Sequence, residues 1–178
     1  MAETELRGPT TLKVPDGDNR ERLVCDSCGF VLYSNPKVVV GAVVEHEGNV
    51  LLCRRAIDPR KGFWTIPAGY LELGESTAEG ARREAREEAG AEIVLDGMLA
   101  VYSIPRISQV QVIFAARLAR PDVAPGVETL ELRFAAWETI PWPDLAFPSV
   151  RWALNHWRER QAGERATRTN PPGETGDY

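Results

Sequence analysis

Apolar and polar positions change period at definite points along the chain. The run KVVVGAVVEHEGNVLLCRR (37 to 55) predicts two strands around a polar turn from His46 to Asn49, and FWTIPAG (63 to 69) predicts another. EIVLDGMLAVYSI (92 to 104), QVQVIFAARLA (109 to 119) and LRFAAWE (132 to 138) are also strand-like. From Ser76 to Glu88 the chain is Ala, Glu and Arg with Gly80 as its one weak position, which predicts a helix. Ser76 followed by Glu79 reads as a capping box at its start, and Gly90 as its stop. SVRWALNHWRER (149 to 160) follows Pro148 and is apolar at 150, 153, 154 and 157, the spacing of a second helix. The segment 161 to 178 has almost no apolar residue and is expected to be disordered. Mixed strands with two main helices make this an α/β protein.

Composition sets bounds on this picture. At 178 residues and 43% hydrophobic, the chain makes one domain of comfortable size with appendages. A net charge of −5 speaks against a nucleic-acid partner held by phosphate contacts. No stretch has the ~18 consecutive apolar residues of a membrane span, and MAETELRGPT lacks the apolar core of a signal peptide. A cytoplasmic protein with no membrane partner is expected.

The chemistry is concentrated in REAREEAG (83 to 90). Glu84, Glu87 and Glu88 stand at i, i+3 and i+4, so on a helix their carboxylates share a face. A solvated charged face is the bland explanation, but such a face places Lys or Arg four residues after Glu, and here Glu84 is followed by Glu88. That like-charge pair is destabilising unless a cation lies between the heads, and hard divalent cations, Mg²⁺ above all, favour such oxygen clusters. Before the helix, IPAGYLELGE (66 to 75) supplies a strand and a short loop bounded by Gly69 and Gly74.

Taken together, Gly69, Glu75, Arg83, Glu84, Glu87, Glu88 and Gly90 resemble the Nudix box, G-x5-E-x7-R-E-U-x-E-E-x-G-U, with Ala85 and Ala91 at its two aliphatic positions. Seven fixed letters, each at about 7% usage, match by chance at a given start on the order of once in 10⁸. The resemblance implies an α/β/α sandwich with a mixed sheet. It also implies Mg²⁺ or Mn²⁺ held by Glu84, Glu87, Glu88 and the backbone carbonyl of Ala68 or Gly69, with Arg83 and Glu75 as a pair that orients the ligands. The implied reaction is hydrolysis of a nucleoside diphosphate linked to another group X, giving a nucleoside monophosphate and phosphoryl-X. The general base is left between Glu87 and a glutamate of PGVETLELRF (125 to 134), where Glu128 is preferred to Glu131. A Nudix domain kept as a ligand sensor without turnover is the alternative, although such modules commonly have eroded boxes.

TLKVPDGDNRERLVCDSCG, YSNPKVVVGAVVE, LLCRRAIDPRKGFWTIPAG, ISQV and IPWPDLAFP extend the resemblance, over about residues 10 to 160, to the zinc-ribbon-bearing group of ADP-ribose and FAD pyrophosphatases. The expected layout is a ribbon-like hairpin over 1–36, a Nudix domain over 37–160 and the tail. Cys25 and Cys28 make one CxxC knuckle, but Glu3 to Arg7, where the group has its second, contains no cysteine. Cys53, His46 and His156 are the remaining donors, and Cys53 reads as a buried thiol, so a ribbon without Zn²⁺ is expected. Pairing of two knuckles across a dimer is the alternative metal arrangement, and homodimerisation itself is suggested only by the family. ISQVQVIFA stands where NADH pyrophosphatases have SQPWPFPxS, which speaks against that activity, while Pro105, 14 residues past Ala91, fits the ADP-ribose enzymes. For a small nucleotide substrate, Trp64, Tyr102 and Phe114 are candidates to stack on the base, and Arg54, Arg55 and Arg106 to meet the phosphates.

Overall fold

The computed structural model describes residues 8–176, which fall into two compact units that divide between Asn35 and Pro36. The first is an antiparallel sheet of β1 (Thr11–Lys13), β2 (Arg22–Val24) and β3 (Val31–Leu32), one strand more than the expected hairpin. The Cys25–Phe30 knuckle joins β2 to β3: Cys25 N–H donates to Phe30 O at 2.8 Å and Gly29 N–H donates to Cys25 O at 2.8 Å. Cys25 is buried with Sγ 3.0 Å from Ser27 Oγ, and that contact, with the neighbouring amides, lowers its pKa to about 7. Cys28 is exposed. The Glu3 to Arg7 position of the missing knuckle lies outside the described residues.

The second unit is built on a mixed seven-stranded sheet. Its strands are β4 (Lys37–His46), β5 (Asn49–Arg55), β6 (Trp64–Thr65), β7 (Ala68–Tyr70), β8 (Ile93–Ile104), β9 (Gln109–Leu118) and β10 (Thr129–Ala135). The order is β10-β5-β4-β9-β8, with β6 on β5 and β7 on β4, and β4 pairs β9 in parallel. Helices α1 (Thr77–Ala89) and α2 (Pro148–Gln161) cover the two faces. One core joins Val40, Ala42, Val44, Leu51 and Phe114 to Ala81, Ala85 and Ala89 of α1. The other joins Val43, Val50, Leu52, Tyr102 and Ile113 to Val150, Ala153, Leu154 and Trp157 of α2. This is the expected α/β/α sandwich. The apolar run of β4 follows from being covered on both sides.

Three details differ from the sequence reading. FWTIPAG forms two short strands, because β6 pairs with β5 and β7 with β4 on either side of Ile66 and Pro67. β10 starts at Thr129 rather than 132, since pairing with β5 continues to Thr129↔Arg55, and it ends before Trp137, whose ring packs on Trp142 at 5.0 Å. The segment expected to be disordered does not behave so over 162–176: Arg168 bridges to Ala100 of β8, with Arg168 N–H on Leu99 O and Val101 N–H on Arg168 O, both at 2.9 Å. Asn170 exchanges two 2.8 Å hydrogen bonds with the backbone of Ser103, and Trp152 Nε1 donates to Glu174. Backbone pairing to an otherwise open strand edge, rather than apolar burial, holds this segment. Residues 177 and 178 lie outside the described residues.

Candidate active site

The capping box fixes where α1 begins, and therefore where its carboxylates face. Ser76 accepts from Glu79 N–H, and Glu79 Oε2 accepts from Ser76 N–H at 2.8 Å. The C-terminus closes on Gly90, at φ 59°, whose N–H reaches Ala85 O and Arg86 O. Between these ends the small side chains of Gly80, Ala81, Ala85 and Ala89 let α1 lie close on the sheet. A side chain at Gly80 would crowd Val40 at 2.8 Å, so the small Ala85 of the box suits a close helix.

That close approach buries two acids. Glu84 is 7% and Glu88 8% exposed, whereas Glu87 is exposed. Glu88 Oε2 accepts from Ala68 N–H at 3.0 Å. A Cβ at Gly69 would overlap the Glu84 carboxylate, so glycine there makes room for it. Burial, against the Ala68 N–H and the charge of Arg55, raises the pKa of Glu88 to about 8, and burial likewise raises Glu84.

Arg83 binds Glu75 through two parallel hydrogen bonds, Nε to Oε2 at 3.0 Å and Nη2 to Oε1 at 2.7 Å, and Nη2 also reaches Tyr70 O at 2.9 Å. Its Nη1 donates to Glu84 Oε1 at 2.7 Å and Glu87 Oε2 at 2.8 Å. Arg83, with the Glu72 N–H, lowers the pKa of Glu75 to about 2. The expected Arg83–Glu75 pair thus ties the loop to the helix. Glu128 arrives from another element. Residues 124 to 126 cap the end of α1, Ala124 N–H on Ala89 O at 2.9 Å and Gly126 N–H on Glu88 O at 3.0 Å, and a side chain at Gly126 would overlap the Glu87 carbonyl. The negative charge of Glu128 is felt by both Glu84 and Glu88.

Glu84, Glu87, Glu88, Glu128, Ala68 and Gly69 all line one cleft of about 730 Å³. Arg55, Asp58, Glu72 and Arg83 also line it, and the rest of its wall is apolar or neutral, with Ile104, Ile107 and Ile113, Gln109 and Gln111, and Phe147 to Val150 at the start of α2. The donor set suits a hard divalent cation: carboxylate and carbonyl oxygens, with a buried Glu88 that a nearby cation would keep ionised. As the side chains stand, Arg83 bridges Glu84 and Glu87, and among the described residues no three His, Cys, Asp or Glu side chains already surround a common point. Binding a cation at this wall therefore means exchanging part of the Arg83 contact for the ion.

The structure brings Arg55 to the cleft but not the other substrate candidates. Arg54, the next residue along β5, points to the opposite side, donating to Gly62 O at 2.9 Å and Glu131 at 3.4 Å. Glu131 is thereby off the cleft. Trp64 lies in the core with Arg133 over its ring, Tyr102 is fully buried with its hydroxyl 2.8 Å from His156 Nδ1, and Phe114 packs in the core under α1. Arg106 does not line the cleft either. Tyr70, Phe147, Ser149, Gln109 and Gln111 do, and the sequence reading missed them. The alternation of QVQVI carried a signal, for Gln109, Gln111 and Ile113 share one face of β9.

A family description, the NUDIX domain, matches residues 35–160, and a zinc-ribbon family described as Nudix N-terminal matches residues 8–34, which hold Cys25 and Cys28. The chain is similar to an ADP-ribose pyrophosphatase of Methanocaldococcus jannaschii, 30% identical over 116 residues that cover 63% of this chain and 69% of that protein. Among solved structures, a NUDIX hydrolase from Nitrosomonas europaea is 42% identical with a TM-score of 0.86, covering 94% of this chain and 97% of the other. An ADP-ribose pyrophosphatase from Streptococcus suis shares the fold at 21% identity, with a TM-score of 0.64 over 76% of this chain and all (100%) of the other. With a complete box, a carboxylate-lined cleft and these matches, the chain belongs to the Nudix superfamily and is an enzyme of its pyrophosphohydrolase class.

Proposed function

We propose that this protein hydrolyses the diphosphate bond of a nucleoside diphosphate linked to another group, ADP-ribose first and FAD second, giving a nucleoside monophosphate and phosphoryl-X. The observation that carries this reading is the meeting of Glu84, Glu87, Glu88 and Glu128 in one cleft that Arg55 also lines. A volume of about 730 Å³ suits a dinucleotide-sized ligand. The similarity to the Methanocaldococcus jannaschii enzyme supports ADP-ribose.

In this reading Glu84, Glu87 and Glu88 with the Ala68 or Gly69 carbonyl hold Mg²⁺ or Mn²⁺. Such a cation supplies charge neutralisation for the non-bridging oxygens and the leaving phosphate. Glu128 takes the proton of the attacking water, a role supported by its exposure within the cleft and by the diversion of Glu131 to Arg54. Arg83, fixed by Glu75, sets where Glu84 and Glu87 point, and Arg55 meets the phosphates. The proposal includes a cytoplasmic setting and, on family resemblance alone, a homodimer. The domain layout of this reading is a ribbon-like extension over 1–36, a Nudix domain over 37–160 and a C-terminal segment over 161–178, of which Arg168 and Asn170 bond to β8. Among the described residues no helix is long and apolar enough to cross a membrane.

The test is a product assay with Mg²⁺ or Mn²⁺ against ADP-ribose, FAD, NADH, nucleoside diphosphate sugars, CoA and nucleoside triphosphates, read by mass spectrometry. AMP together with ribose 5-phosphate or flavin mononucleotide is the expected outcome. Tight binding of one of these compounds without any product would return the ligand-sensing alternative.

A further inference from the structure

α2 starts inside the cleft, and its first turn is unfinished. Phe147 at the N-cap has no side-chain group to cap with, and Pro148 at the first helical position has no N–H. Val150 N–H turns back to Phe147 O at 3.1 Å. This leaves Ser149. Its side chain lines the cleft at only 8% exposure, yet neither its hydroxyl nor its N–H has a hydrogen-bond partner among the described residues. No fully buried side-chain polar atom lacks a partner there, so the Ser149 hydroxyl oxygen is open to the cleft. A hydroxyl this enclosed and unsatisfied, beside an unsatisfied N–H at the positive end of a 14-residue helix, matches an anionic acceptor.

A second positive group lies alongside. The Arg55 guanidinium carbon is 5.2 Å from the centroid of the Phe147 ring, so it stacks at the same helix start. Arg55 Nε donates to Pro59 O at 2.8 Å but meets no carboxylate in an ion pair among the described residues, whereas the other arginine of the cleft, Arg83, is engaged by Glu75, Glu84 and Glu87. Positive potential in this acidic cleft is therefore concentrated where α2 begins.

We infer that Ser149, through its N–H and its hydroxyl, forms with Arg55 a phosphoryl-binding subsite at the start of α2, which holds non-bridging oxygens of the substrate diphosphate beside the acidic wall. The inference rests on the diphosphate reading above, and the experiment separates the two. Sodium phosphate is titrated into ¹⁵N-labelled, metal-free protein against sodium chloride at equal ionic strength, with the amide resonances of Ser149 and Val150 followed. The same titration is run on Ser149→Asp, and KM for the best diphosphate substrate is measured for wild type, Ser149→Ala and Ser149→Asp.

Ser149→Asp places a negative charge where the phosphoryl group sits; the helix dipole offsets part of the cost of burying it, and Ser149→Ala, which adds no charge, keeps the test readable if the aspartate variant melts lower. The expected results are a phosphate-specific shift of both amides, loss of the Val150 shift in Ser149→Asp, and a KM raised about 10-fold in Ser149→Ala and about 100-fold or more in Ser149→Asp. Absence of a phosphate-specific shift in the wild type overturns the subsite, as does a KM indifferent to Ser149→Asp. A shift that is present in the wild type and lost in the variant, in a protein that turns over no diphosphate substrate, upholds the subsite and removes the proposed reaction instead.

Discussion

At the scale of single residues, Glu128 and Glu131 are close in sequence but the sheet sends them apart. Glu131 sits opposite Arg54 on β5 and is bound by it, whereas Glu128 precedes β10 and opens into the cleft. If Glu128 is the base, Glu128→Gln should lower kcat by on the order of 10² to 10⁴, with Glu131→Gln close to wild type. A large loss in Glu131→Gln with little in Glu128→Gln would reverse the assignment. The box residues were legible because their chemistry depends on helical spacing, which a sequence displays. The aromatics were not. Trp64 and Tyr102 looked able to stack on a base, but whether a strand residue faces a cleft or a core depends on what covers the sheet, and α2 covers Tyr102. Arg54 and Arg55 show the same limit, since adjacent strand residues face opposite ways and the sequence did not say which way was the cleft.

At the scale of elements, the two helices and the long strands followed from apolar period and caps, and their bounds moved little. The final segment was misread because low apolar content signals disorder only when backbone groups have no partners, and β8 offers a free edge. Deleting residues 162–178 removes the Arg168 backbone pairing, both Asn170–Ser103 bonds and the Trp152–Glu174 bond. The deletion should lower Tm by several degrees, about 4 °C for each ~1.5 kcal/mol in a protein of this size. An unchanged Tm would show that the segment contributes nothing to the folded state. The contact between β8 and α2 carries a pH dependence as well. His156, packed against Tyr102 and flanked by Glu159 and Arg168, has its pKa lowered from 6.5, chiefly by burial. The folded state then binds fewer protons than the unfolded chain, so this contribution is intact above pH ~6.5 and is lost as pH falls from there through the lower folded value. Tm measured from pH 7.5 to 5 should fall more steeply for wild type than for His156→Gln, and parallel curves would contradict the assignment.

For the whole molecule, the arrangement explains why like charges are crowded on a helix that also lies tight against a sheet. Small alanines draw α1 inward, Gly69 yields space to Glu84, and Gly126 brings the Glu128 loop onto the helix end, so acids from two elements meet at one wall. The charge repulsion this creates is what a divalent cation would relieve. The central claim is that the buried acids serve metal-dependent hydrolysis rather than structure, and kcat of Glu88→Gln tests it most directly. Glutamine keeps an oxygen for the Ala68 N–H and needs no charge in a buried place, so the variant should fold with Tm equal to wild type or higher. The account predicts a kcat reduced by on the order of 10² or more with Mg²⁺ or Mn²⁺ present. A folded Glu88→Gln protein with wild-type kcat would contradict it.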